Sequence, residues 1–262
     1  MKSSIFLISS IAYLTSAIPI YSPLDSGSLD FSLKNYISNV AIQDAVLRRI
    51  EPFCNNLDNI TMDAHGLPPP SPGLKLYHIG LGRGTQNYSC PTDKGETAAP
   101  TALGAVAKLY NVTCSTGYYG VDKTNSFTNL VAKQNRDTHM ALSLLQSGNH
   151  FFPDQGSTPV FNLNMGNPDR DYGVMFSAKK ANVTAPADAQ TGEDGSAAVP
   201  WLKLAVSSPP PSPYTVLPAD AASGIKEIYR LNTAGGSAPK TCQGLLGQSF
   251  EKEYAAEYWF WH

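Results

Sequence analysis

The sequence predicts a mainly β protein, an antiparallel β-sandwich or barrel with one or two peripheral helices. Three observations carry this prediction. Short alternating or fully apolar runs recur from residue 74 to the end, each bounded by Gly, Pro, Asn or Asp. The composition, with 21 Gly, 20 Pro and only 15% charged residues, suits strands and loops better than long solvent-exposed helices. The regular strand–helix alternation of a doubly wound parallel sheet is missing.

The elements come in this order. "MKSSIFLISSIAYLTSA" has a positive Lys2, an apolar run from Ile5 to Leu14 and small residues Thr15-Ser16-Ala17, which together predict a signal peptide over 1–17. The run is far shorter than the ~20 residues that span a bilayer. Residues 18–66 read as a polar N-terminal arm with one short helix, Val40 to Ile50, ending before Pro52. "LPPPSPG" at Leu67–Gly73 is a stiff polyproline-like linker that opens a β domain over 67–262. "LKLYHIGLG", "TQNYSC", "ALGAVAKLYNVTC", "TPVFNLNM", "YGVMFSAKKANV", "AVPWLKLAV", "GIKEIYRLNTAGG" and "YAAEYWFWH" read as strands. The full apolarity of "AVPWLKLAV" predicts burial of both its faces. One helix interrupts, from Phe127 to Gln146, ending near Gly148.

Charge and cysteine content narrow the function classes. A net charge of −2 shows no basic footprint for nucleic acid or an anionic membrane. No later segment is apolar enough to span a bilayer, so a soluble, secreted monomer is expected. The four cysteines, Cys54, Cys90, Cys114 and Cys242, predict two disulfides, with three connectivities open. They form no CxxC unit and the histidines no HxxxH unit, so no metal site is assigned. Sequons at Asn59, Asn87, Asn111 and Asn182 agree with export and glycosylation.

The stretch "HIGLGRGTQNYSC", His78 to Cys90, superficially resembles a nucleotide-binding loop. A dinucleotide fingerprint needs G-x-G-x-x-G between a strand and a helix N-terminus. Here the spacing is G-x-G-x-G, the residues after Gly84 are strand-like, and no acidic residue of the right kind lies about 20 residues on. Gly80, Gly82 and Gly84 therefore read as a bulge or bend between two strand segments, where glycine allows positive φ or close backbone approach. No cofactor is assigned.

Other residues offer chemistry. His78, His139 and His150 lie mid-chain, with Asp137 and Asp154 near the last two. A His beside a carboxylate suits general acid–base work, so His78, His150, Asp154 and Arg230 are the candidate catalytic residues. Arg230 stands out as a charge inside the strand-like "IYRLNTAGG", just before a Gly-Gly turn and Cys242. No G-x-S-x-G nucleophile turn is present. The late aromatics Tyr254, Tyr258, Trp259, Phe260 and Trp261 could stack on sugar faces. Alternation puts Tyr258 and Phe260 on one face, Trp259 and Trp261 on the other. They make cell-wall or host glycans the candidate partners, and a binding role outside the cell the leading expectation. A secreted enzyme with a His/Asp/Arg site is the alternative.

"GRGTQNYSC", "AVPWLKL", "EIYRLNTAGGSAPKTC" and "YAAEYWFW" closely resemble the DUF3455 family of fungi and bacteria, in order and wording, from about Leu67 to Trp261. "GNHFFPDQGSTPVFNL" at Gly148–Leu163 resembles the family's G-x-H block more loosely, and the insert at Gly117–Ser147 resembles fungal members. The family is functionally uncharacterised. Some fungal members carry a malate dehydrogenase label, so the resemblance adds a malate dehydrogenase-type oxidoreductase as a further alternative. It also implies a pairing, Cys90–Cys242 with Cys54–Cys114, because bacterial relatives keep equivalents of the first pair only. Cys54–Cys242 with Cys90–Cys114 is the second choice.

Overall fold

The computed structural model describes residues 49–54, 57–133, 145–153, 158–164, 172–208 and 224–262. Eight strands form a closed antiparallel barrel, each hydrogen-bonded to the next in sequence. They are β1 (Leu76–Ser89), β2 (Thr101–Asn111), β3 (Gln146–Phe151), β4 (Val160–Asn162), β5 (Val174–Val183), β6 (Trp201–Ser207), β7 (Glu227–Gly235) and β8 (Ser249–Trp261). The long β1 closes the barrel against β8, in a register running from Leu76↔Trp261 to Ser89↔Ser249. Of the two architectures expected, the chain adopts the barrel.

Period-two alternation sorts side chains to the two faces of the wall. The inner face carries Ala105, Ala107, Leu109, Phe161, Met175, Leu204, Ile228, Tyr254, Ala256, Tyr258 and Phe260, which pack as one buried cluster. The outer face carries Ile79, Trp201, Tyr229, Leu231 and Trp259, also buried. Leu57, Ile60, Met62, Ala64 and Leu67, from the segment ahead of β1, cover them. At about 1.5–3 kcal/mol per fully buried large apolar side chain, this cover is a substantial part of the fold's stability. The expectation for "AVPWLKLAV" holds over Trp201–Leu204, where Trp201 is buried outside and Leu204 inside.

The glycines need a correction. β1 is one continuous strand of 14 residues, and Gly80, Gly82 and Gly84 are not among the glycines with positive φ. There is no bend. These residues share the inner face with His78, and their missing Cβ makes room for neighbours. A Cβ at Gly82 would lie 2.5 Å from the Tyr258 ring, and one at Gly84 1.9 Å from the Val106 carbonyl oxygen. The stripe gives space to bulky β8 rings and lets β2 approach. A mid-barrel strand also offers no helix N-terminus to a pyrophosphate, so this stretch is not a dinucleotide site.

The helical region also differs. β2 ends at Asn111, and two helices come next, α1 (Thr113–Tyr119) and α2 (Val121–Ala132). They are separated by Gly120 at φ 86°. The predicted helix over 127–146 therefore starts six residues early. Residues 134–144 lie outside the described residues, and Gln146 to Phe151 is strand, not helix end. Gly148 is no cap: a Cβ there would meet the Asn162 carbonyl oxygen at 2.3 Å, so it permits close β3–β4 pairing. Of the predicted Val40–Ile50 helix, only Arg49 and Ile50 are described, and both are helical.

Both disulfides match the pairing that the resemblance implies. Cys54–Cys114 ties the chain ahead of the barrel to α1, and Cys90–Cys242 ties the β1–β2 connection to the β7–β8 connection. The loops they close, 60 and 152 residues, are long. In the chain-entropy account each is worth roughly 4–5 kcal/mol. The polyproline stretch lies against the outer wall. Tyr229 Oη donates to the Pro68 carbonyl at 2.8 Å and Lys203 Nζ to the Pro69 carbonyl at 2.7 Å. Ser71 Oγ donates to Glu227 at 2.6 Å, and Glu227 pairs with Lys203 at 3.1 Å.

Candidate functional site

Three of the four candidate residues, His78, His150 and Arg230, point into the barrel. Asp154, like His139 and Asp137, lies outside the described residues. Register explains the convergence. His78 is opposite Phe260, His150 is opposite Phe161, and Arg230 is opposite Tyr258. A chain of ring contacts joins them. His78 lies 5.4 Å from Phe260, Phe260 5.6 Å from Phe161, Phe161 4.3 Å from His150, and His150 5.5 Å from Tyr258.

The two histidines are sealed. His78 is fully buried and stacks on Tyr172 with centroids 4.3 Å apart. Its Nε2 meets Ser147 Oγ at 3.2 Å and its Nδ1 meets Thr113 Oγ1 at 3.1 Å. Burial pushes its pKa from 6.5 to about 3. His150 is 3% exposed, stacked on Phe161, with Nδ1 2.9 Å from the Val160 carbonyl oxygen. Burial pushes its pKa down to about 4, against the raising effect of that carbonyl. Both rings are neutral at pH 7. Nδ1 of His150 therefore carries its proton, donated to Val160. Hydroxyls occupy both ring nitrogens of His78 and a carbonyl occupies Nδ1 of His150, and an aromatic ring stacks on each.

Arg230 is the exception. It lies within β7, paired with Leu202 near the start of β6. Its Nη2 donates to the Pro200 carbonyl at 2.8 Å, while its Nε is buried with no partner. It forms no ion pair with a carboxylate among the described residues. Beside it, the Tyr254 and Tyr258 hydroxyls share a hydrogen bond of 2.9 Å. Burial raises the pKa of both phenols, and the guanidinium pulls in the opposite direction on each. The Gln86 side chain also faces the Tyr254 phenol and lowers its pKa. Together these groups make a cationic corner lined with neutral dipoles.

The late aromatics are not a sugar platform. Tyr254, Tyr258, Trp259 and Phe260 are at most 1% exposed, and only Trp261 among them is partly exposed. The faces assigned by alternation are correct: Tyr258 and Phe260 fill the barrel, and Trp259 packs outside it. Burial on both sides removes the ring faces a glycan would need.

Sequence reasoning missed Glu257. This carboxylate is 1% exposed, on the outer wall beneath α2. Thr128 Oγ1 and Asn232 Nδ2 donate to its Oε1 at 3.0 Å, and Trp259 Nε1 to its Oε2 at 3.0 Å. With its amide turned so that Nδ2 faces the carboxylate, Asn125 adds a donor at 3.0 Å. Burial outweighs these donors and pushes the pKa up to about 7. The signal was a lone acid inside the apolar run "YAAEYWFW". Asn232 sits at φ 44°, where β7 slips register between Leu231 and Ala234, and that kink aims its amide at Glu257.

Among the described residues, no group of three or more His, Cys, Asp or Glu is gathered as a metal would need. None of their helices is long and apolar enough to cross a membrane. No curated protein and no solved structure matches the chain. The family model described as "protein of unknown function (DUF3455)" matches residues 70–262, the whole barrel with the last turn of the polyproline stretch, and the chain belongs to that family.

Proposed function

We propose that this is a secreted, disulfide-braced glycoprotein with a binding role outside the cell, and that Arg230 receives an acidic group of its ligand. The carrying observation is the Arg230 guanidinium. It is nine-tenths buried inside the barrel, lacks a carboxylate partner among the described residues, and keeps an unsatisfied Nε. A guanidinium cannot shed its proton to escape burial, and it binds carboxylates through paired N–H donors. Among cell-wall and host glycans, those carrying uronic acids fit this chemistry. The two disulfides support an oxidising compartment. The sheet closes on itself, β1 against β8, which supports a monomer. The enzyme reading draws less support, because both described candidate histidines are buried among aromatic rings and held neutral.

The test is a thermal-shift titration with D-galacturonate and, in parallel, neutral D-galactose. The acid should raise the melting temperature and the neutral sugar should not. Arg230→Gln should abolish the effect, and Arg230→Lys should weaken it, since lysine keeps the charge but loses the fork. Equal responses to the two sugars, or a response that survives Arg230→Gln, would overturn the assignment.

A further inference from the structure

The four sequons occupy unlike positions. Asn87 is half-buried within β1, paired on both sides with Gly104 and Glu251, and its Oδ1 accepts from Thr85 Oγ1 at 2.9 Å. Asn111 is half-buried and both ends of its amide are engaged: Nδ2 donates to Tyr172 Oη at 3.2 Å and Oδ1 accepts from Thr113 N at 3.0 Å. The sequon hydroxyl, Thr113 Oγ1, is itself buried against Ile79 N and His78. By contrast, Asn59 with Thr61, and Asn182 with Thr184, are exposed or half-exposed at the surface. Their exposure leaves both asparagines open to a sugar.

Asn59 differs again from Asn182. All three residues of its sequon, Asn59, Ile60 and Thr61, line an open groove of about 410 Å³. The opposite wall is the α1–α2 corner: Thr116, Gly117, Tyr119, Gly120, Val121 and Asp122. That wall is held in place by Cys54–Cys114 and by Gly117, whose absent Cβ lets the Phe53 carbonyl approach. Tyr119 is 44% exposed, one of three large apolar side chains so exposed among the described residues. A half-exposed ring beside a carboxylate and glycine backbone is what a pyranose with an acetamido group can use. Its C–H face lies on the ring, and its hydroxyls and amide reach polar atoms.

We propose that Asn59 and Asn182 carry N-glycans while Asn87 and Asn111 do not, and that the first N-acetylglucosamine on Asn59 lies in this groove against Tyr119. The glycan then acts as a structural part of the molecule, clamping the chain ahead of the barrel to the α1–α2 corner. The proposal rests on the reading of the chain as a secreted glycoprotein, and so on passage through a glycosylating secretory pathway.

The experiment secretes the full chain with its own N-terminus from a glycosylating eukaryotic host and maps occupancy by peptide mass. Asn182→Gln protein is then melted in three forms: intact, trimmed to one N-acetylglucosamine, and fully deglycosylated. Trimming should leave the melting temperature unchanged, and full removal should lower it by about 2–4 °C. Tyr119→Ala should erase that difference, and Tyr119→Phe should keep it. Occupancy at Asn87 or Asn111 with Asn59 bare would overturn the site selection. A difference unchanged in Tyr119→Ala, or no difference in the wild type, would overturn the groove assignment. Absence of sugar at all four sequons would sink the secretion reading itself, a result distinguishable from the other two.

Discussion

The alternating glycines of β1 make a graded prediction. Alanine at Gly80, Gly82 and Gly84 adds the same methyl group to the same face of the same strand, so differences must come from what the methyl meets. At Gly80 the nearest atoms lie 3.6–3.8 Å away, in Phe260, His78 and Leu109. That is ordinary contact, and the lower unfolded-state entropy of alanine offsets any crowding. Stability should change by less than about 1 kcal/mol. At Gly82 the methyl would sit 2.5 Å from Tyr258 Cε2 and 3.2 Å from Leu109. The ring is packed by His150 and Phe161 and cannot simply swing away, so an overpacking cost of about 1–3 kcal/mol is expected. At Gly84 the methyl would lie 1.9 Å from the Val106 carbonyl oxygen and 2.5 Å from Ala107 Cα, both main chain. Relief requires β2 to move off β1, at a cost above about 3 kcal/mol. Urea melts of the three variants should show midpoints falling in the order Gly80→Ala, Gly82→Ala, Gly84→Ala, with about 1 M or more between the first and last. Equal midpoints, or Gly80→Ala as the least stable, would refute the packing account of the stripe.

Two further predictions concern pH. His78 and His150 have pKa values pushed down to about 3 and about 4, so the unfolded chain binds their protons first as pH falls below 6.5. Their contribution is present above pH 6.5 and is lost toward pH 3–4. For His150 the loss is on the order of 3 kcal/mol, and urea midpoints measured from pH 7 to pH 4 should fall accordingly, less so in His150→Phe; a flat profile would contradict their neutral burial. Glu257 has the opposite sign. Its pKa, raised to about 7, makes its contribution largest below pH 4.5 and lost as pH rises through 7. The cost of Glu257→Gln should therefore be greater at pH 5 than at pH 8, and an equal cost at both would show that the carboxyl does not titrate in this range.

How much of the fold and of the candidate site is legible in the sequence depends on how far apart the deciding contacts lie in the chain. Strand positions and face assignments come from period-two alternation, a local property, so the wall of the barrel and the inner and outer rings of β8 can be read directly. The pairing of Tyr258 with the space above Gly82 cannot, because 176 positions of sequence separate them and only the closing register joins them. Taken locally, the glycines suggest a bend rather than room for a ring. α1 is hidden for a similar reason. "NVTC" has the β-branched residues of a strand end, yet Thr113 starts a helix because its hydroxyl bonds Ile79 N and its neighbour Cys114 is tied to Cys54. His78 and His150 stand out in the sequence, but what makes them unusual is burial among distant rings. The half of the site that can be found is Arg230, since a charge inside a closed strand is visible in one line of sequence.

Arg230 and Glu257 show why that charge matters. β7 pairs Arg230 with Tyr258 and Leu231 with Glu257, so the two charged residues are diagonal neighbours across one strand pair. They nevertheless sit on opposite faces of the wall, Arg230 inward and Glu257 outward under α2. Neither can neutralise the other without crossing the sheet. Each must find its own solution to burial. Glu257 has two, a shell of donors from Thr128, Asn232 and Trp259, and the option of holding a proton near neutral pH. Arg230 has no second option, because guanidinium stays charged under any condition in which the fold survives. Its partners among the described residues are carbonyl and phenol dipoles, which reduce the cost of a buried cation without cancelling its charge. Such a group is costly to keep for stability alone, and an apolar side chain in the same space would fill it at lower cost. Retaining the cation is consistent with a negatively charged group arriving from outside the chain, and the uronate titration with Arg230→Gln asks that question directly.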